Sequence, residues 1–133
     1  MDTREQQVRT WSMLCHISAL AGFLFWLGSV LGPLIVWQLK KNELPEIDDH
    51  GKASLNFQLT VLVVNVIGKI ILAGTVGFGV FFGGPFLAFG GGLGIATILG
   101  IINLVAWILA IVAGLRANNG GFFRYPFSIP FVK

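Results

Sequence analysis

Residues 93–115, LGIATILGIINLVAWILAIVAGL, run for 23 positions without a charge. About 20 such residues at 1.5 Å each cross a hydrocarbon core of about 30 Å, so the stretch reads as a membrane-spanning helix. A second stretch, residues 53–74 (ASLNFQLTVLVVNVIGKIILAG), is of similar length and carries one charge, Lys69. Upstream, residues 13–39 make an uncharged run of 27 residues. As one helix this run would be roughly 40 Å long and would need a strong tilt to fit. It contains Gly28 and then Gly32-Pro33, which suit a break and a fresh helix start. The alternative to one tilted span is a short hairpin turning near residues 26–29.

The basic residues arbitrate between the two. With three crossings, Arg4 and Arg9 lie opposite Lys40, Lys41, Lys52, Arg116, Arg124 and Lys133. With four segments all eight share one side, and the positive-inside rule favours that arrangement, with both termini cytoplasmic. The expected fold is therefore all-α: one domain over residues 1–133, a polytopic membrane helical bundle of four hydrophobic segments, the first two a short hairpin. The expected location is the cell (inner or plasma) membrane.

Whole-chain composition agrees. Of 133 residues, 55% are apolar and 11% charged, and the mean hydropathy is +0.81. Soluble domains carry about 25% charged residues to cover their cores, so lipid must be the solvent over most of this surface. The net charge of +3 sits outside the apolar segments and forms no basic stripe interleaved with exposed aromatics, which excludes a nucleic-acid partner. The single cysteine, Cys15, excludes intrachain disulfides and thiol clusters and reads as a small buried hydrophobe. Ala19 and Ala21 mimic a signal-peptidase site, but the apolar run continues to Leu39, so the N-terminus is expected to stay attached.

Residues 75–92 are built mostly of glycine and phenylalanine. Glycine opposes a regular helix and Gly84-Pro85 is a turn signal, which predicts an irregular outward-facing connector with its phenylalanines at the membrane interface. Residues 116–133 read as a polar, aromatic tail.

Inside apolar segments the polar side chains carry the information, because each must find a partner or water. Gln58, Asn65 and Lys69 fall within about 40° of one another on a helix and form one stripe. Ala96, Gly100, Asn103, Ala110 and Gly114 share a face beside Trp107, the pattern of close helix packing with an asparagine bonding across the contact. Lys69 has no intramembrane carboxylate to pair with and is expected to snorkel. His16, one turn after Ser12, is expected to be neutral and bonded to a neighbouring helix. Asp48, Asp49 and His50 form the densest polar group, placed to cap the helix that begins near Lys52. Three consecutive candidates do not make a metal site, no nucleophile–base–oxyanion set is visible, and no cofactor is expected.

Three segments read together carry a resemblance: LCHISAL at 14–20, LGPLIVWQLKK at 31–41, and DHGK at 49–52 leading to LNFQ at 55–58, with RANNG at 116–120 and RYP at 124–126. They resemble the Tic-twenty-like family of small bacterial and archaeal membrane proteins, related to the chloroplast inner-envelope import component of the Tic complex and more distantly to the magnetosome proteins MamF and MmsF. The resemblance implies a four-helix membrane bundle with cytoplasmic ends and no reaction. The chain departs from it at Asp49 and Ala53, where relatives often carry glutamates, and in its glycine-rich stretch.

The residues singled out for interaction are His16, Asp49, His50, Lys52, Asn56, Gln58, Asn65 and Asn103. The expected role is a non-enzymatic scaffold, assembly or protein-translocation component, its partners the lipid bilayer and a membrane protein or further copies of the chain. The alternative is a small oligomeric transporter or channel with Gln58, Asn65 and Asn103 along a path.

Overall fold

The computed structural model describes residues 2–133, and among these the ordered elements are all helical. Helix α1 spans Thr3–Ile17 and runs into a 3-10 segment, Ser18–Phe23; α2 spans Gly28–Lys40. A single 3-10 turn, Pro45–Ile47, leads into α3, Asp48–Phe78; a π-helical turn, Gly79–Gly83, leads into α4, Gly84–Asn118. The chain divides into two compact units: residues up to Thr60 with Ala106–Lys133, and Val61–Val105.

In the first unit, Asp2 caps α1 by accepting the Glu5 N–H at 2.7 Å, which satisfies one of the helix's free N-terminal donors. Arg4 grips Glu46 through Nε at 3.1 Å and Nη2 at 2.9 Å, joining α1 to the turn before α3. The first apolar run folds back on itself, with its turn at residues 24–27, two residues before the expected 26–29. Glycine makes this approach possible: a Cβ at Gly28 would overlap the Ala21 carbonyl, and one at Gly32 the Ser18 carbonyl. Helix α2 continues through Pro33, although proline removes a backbone bond there. Each arm of the hairpin is about 20 Å long, from 1.5 Å per α-helical and about 2.0 Å per 3-10 residue. Its tip is apolar and open, with Leu24 83% and Trp26 64% exposed. Phe23 stacks on Trp107 of α4 at 3.8 Å between ring centroids.

The face of α4 buried in this unit is Ala106, Ala110, Ala113, Gly114 and Ala117. Gly114 meets Ile17 of α1. Of the small residues expected on that face, Ala96 is exposed and Gly100 has open space before it. The buried face follows instead the alanines at 106, 110, 113 and 117, which recur at helical spacing.

The second unit is a helical hairpin. Asn65 meets Asn103, Gly68 faces Leu99, Thr75 faces Gly91, and Gly79 lies against Ala88. Paired positions advance on α3 as they retreat on α4, so the helices are antiparallel. The irregular connector expected over 75–92 is thus a correction: only the π turn and Gly84, at φ +71°, interrupt the helices. Glycine weakens a helix in water, but here Gly79 lets the two backbones close on each other and Gly92 leaves room for the Val76 side chain. Pro85 follows directly at the start of α4, where its missing N–H costs nothing.

The helical run Pro45–Asn118 is long and apolar enough to cross a membrane, and 11% of its most apolar window is buried. Most of its large side chains, among them Ile67, Ile70, Ile98 and Ile101, are exposed. Soluble monomers rarely expose apolar area on this scale. The protein is membrane-associated.

Candidate functional site: a histidine–tyrosine cluster

The polar core of the first unit is assembled from three pieces of chain. His16 comes from the last turn of α1, His50 from the first turn of α3, and Tyr125 from the C-terminal tail. His16 is fully buried. Its Nδ1 lies 2.8 Å from the Tyr125 hydroxyl and its Nε2 lies 3.1 Å from Nδ1 of His50. The His16 and His50 rings meet edge to face, and Tyr125 stacks on Phe57 at 4.3 Å.

One neutral tautomer of His16 donates to His50 and accepts from Tyr125; the other does the reverse. The choice of tautomer at His16 therefore sets the donor and acceptor roles of His50 and Tyr125 toward it. Burial pushes His50 below the ordinary imidazole range, with the adjacent Asp49 pulling the other way, and burial raises the Tyr125 hydroxyl well above its ordinary value. Burial thus favours the neutral forms of His50 and Tyr125 near pH 7, and a neutral pair of imidazoles can share its hydrogen bond in either direction.

Around it, polar side chains hold the tail to α3. Asn56 donates through Nδ2 to the Val132 carbonyl at 2.9 Å and accepts the Val132 N–H at 2.7 Å. Thr60 accepts the Ile129 N–H at 2.9 Å while donating to the Asn56 carbonyl. The tail is thus an extended segment clamped by its backbone, and Val132 packs against the cluster of Cys15, Trp37, Leu44, Ile47 and Leu55.

Asp48 accepts the Trp37 indole N–H at 2.8 Å and pairs with Lys52. The hydrogen bond from Lys52, then that from Trp37, holds its carboxyl below the usual range. Helix α3 starts at Asp48, four residues before the expected start, so Asp48 and Asp49 occupy its first turn. The start is earlier because Pro45–Ile47 already sets a helical turn.

Of the eight residues singled out in the sequence, His16, His50 and Asn56 join this arrangement directly. Lys52 borders it through Asp48, while Asp49 is exposed. Gln58 is 1% exposed, and its Nε2 has no partner among the described residues. Asn65 and Asn103 lie elsewhere, bonded to each other in the second unit. The stripe of Gln58, Asn65 and Lys69 therefore has three different surroundings, with Lys69 exposed. Among the described residues no three His, Cys, Asp or Glu side chains converge as metal ligands would.

The sequence reading missed Tyr125, Thr60 and the Trp37–Asp48 bond. Tyr125 is the chain's only tyrosine, in a segment whose composition reads only as a polar, aromatic tail; that rarity is the available signal.

A family model described as the magnetosome magnetite crystal formation protein family matches residues 7–132. The chain belongs to this family. No curated protein and no solved structure matches it. The match covers the whole cluster, from His16 to the tail clamp. It identifies the group that the sequence resemblance had set at greater distance than the Tic-like proteins.

Proposed function

We propose that the protein is a multi-pass, non-enzymatic membrane scaffold serving magnetite crystal formation in the magnetosome membrane. The α3–α4 hairpin crosses the bilayer twice. The α1–α2 hairpin dips in from the same side, its reach of about 20 Å falling short of a core of about 30 Å. Both termini lie on the cytoplasmic side, and the surface over residues 40–52 is where partner proteins dock. A part in protein insertion or translocation is the narrower version suggested by the Tic-like resemblance.

The observation that supports the reading best is the contrast in how side chains are used. The buried polar groups Ser12, His16, Ser54, Asn56, Gln58 and Thr60 all belong to the first unit, where His16, Asn56 and Thr60 hold the tail in place. The second unit offers mainly apolar surface and one asparagine pair, which suits anchoring.

Topology tests it. Single cysteines at Thr3, Trp26, Phe82 and Lys133 are probed in intact membranes with an impermeant thiol reagent. Labelling of Phe82 from outside, with Thr3, Trp26 and Lys133 protected, supports the arrangement. Labelling of Thr3 from outside, or of Trp26 together with Phe82, overturns it.

A further inference from the structure

The C-terminal tail contains a backbone conformation that no side-chain contact of its own residue offsets. Phe127 has φ 58°, and among the described residues no other non-glycine has a positive φ. It follows Pro126 in a turn, at the kind of position glycine usually fills. Its ring is 95% exposed, so no contact within the chain compensates the strained backbone. The turn is forced from both sides: Tyr125 is buried against His16, and the Ile129 N–H is bonded to Thr60. Strain held by pinned neighbours points to a use for the group it presents.

The depth of this turn follows from its anchors. Lys52 is the last charge before the apolar stretch of α3. Asn56 and Thr60 lie four and eight residues further on, about 6 and 12 Å along the helix axis. An element buried about 5–10 Å at the headgroup–acyl boundary is interfacial. The chemistry of the tail matches that layer: Ile129 and Phe131 are about half exposed beside Phe127, while Arg124 and Lys133 form no ion pair among the described residues.

We infer that the Pro126–Phe127 turn is a lipid-contacting wedge, with the clamped tail lying in the interfacial layer, the Phe127 ring among the upper acyl chains, and Arg124 and Lys133 at the phosphates. This rests on the reading that α3 enters the bilayer just past Lys52. The occupant of the exposed ring is the membrane itself rather than a second protein, because the cations beside it complement headgroup phosphates and the ring stands at the level where those phosphates give way to hydrocarbon.

Full-length protein carrying Phe127→Cys, Ile67→Cys or Glu43→Cys, each labelled with an environment-sensitive fluorophore, is reconstituted in vesicles of zwitterionic and anionic phospholipid. Nitroxide lipids quench from near the headgroup or from deep in the chains. The expected result is a blue-shifted Phe127 probe quenched most by the shallow nitroxide, an Ile67 probe quenched most by the deep one, and a Glu43 probe quenched by neither. A Phe127 probe that behaves like the Glu43 probe, with Ile67 still deep, overturns the wedge and leaves the membrane-crossing reading standing. A blue-shifted Phe127 probe that neither nitroxide quenches is covered by protein, which also overturns the wedge. An Ile67 probe without deep quenching overturns the crossing and the wedge together.

Discussion

Asn65 and Asn103 make the sharpest energetic test in the molecule. Their amides exchange two hydrogen bonds, Asn103 Nδ2 to Asn65 Oδ1 at 2.8 Å and Asn65 Nδ2 to Asn103 Oδ1 at 3.3 Å. Each Nδ2 also donates to its own helix, to the Val61 carbonyl at 2.9 Å and the Leu99 carbonyl at 2.8 Å. Asn65→Leu therefore leaves Asn103 with one satisfied N–H but strands its oxygen and its second N–H. Interhelical polar pairs in bilayers average about 0.6 kcal/mol and reach about 1.7. The short bond and the two stranded atoms put this single substitution near the upper part of that range, about 1–1.5 kcal/mol. Asn103→Leu costs a similar amount. The double substitution strands nothing and costs no more than either single one, giving a coupling energy of about 1 kcal/mol. Helix loss followed by circular dichroism across mixtures of dodecyl sulfate and a mild detergent measures all three. Additive costs would refute the pairing. They would instead favour asparagines that each face water along a path, as in the transporter reading.

Gly32→Val drives a side chain into the Ser18 carbonyl group, which is backbone and cannot swing away; the expected loss is about 3 kcal/mol. Gly100→Ala, with open space before it, is expected within about 0.5 kcal/mol of wild type in the same assay. His50 titrates lower in the folded chain than its ordinary value of 6.5 because of burial. The unfolded chain then binds more protons between the two values, so stability is full above about pH 6.5 and declines as pH falls through the window. The slope stays well under about 1.4 kcal/mol per pH unit, because the ring is partly solvated. Melting at about pH 7.5 and about pH 5.5 should show this decline in wild type and a shallower one in His50→Gln. Cys15 is fully buried and is expected to resist maleimide until dodecyl sulfate unfolds the protein.

What the sequence made legible follows the physics that dominates each region. In residues 93–115 and 53–74 the cost of exposing apolar groups to water, or backbone groups to lipid, outweighs everything else, and a count of charges finds the helices. The ends were misjudged where that single term is contested. At the N-terminal side of α3, the proline turn at 45–47 extends the helix back to Asp48 through charged residues, so a hydropathy boundary at Ala53 is not a helix boundary. Over residues 75–92 the propensity of glycine was read on a scale measured in water. Gly79 serves there to bring two backbones together and Gly92 to admit the Val76 side chain, and hydrocarbon penalises any peptide group that leaves its helix.

The cluster was half legible for a different reason. A helical wheel finds Asn65 and Asn103 and warns that His16 needs a partner, because periodicity fixes which face a residue occupies. It cannot find the partner when that lies 109 residues away in an extended tail, as Tyr125 does. Asn56 shows the same limit: it recognises Val132 through the main chain, so the side chain at 132 carries no mark of the bond. This asymmetry bears on where specificity resides. Exposed isoleucines on the helices of the second unit can be exchanged for other apolar residues with little effect, since lipid does not distinguish among them. The bonds that close the tail onto α1 and α3 admit few substitutes, because each replacement leaves a buried polar atom without its partner. A role that depends on distinguishing one partner from another must therefore be read from the first unit, and the shape of its surface depends on the neutral His16–His50–Tyr125 contact that keeps the tail in place.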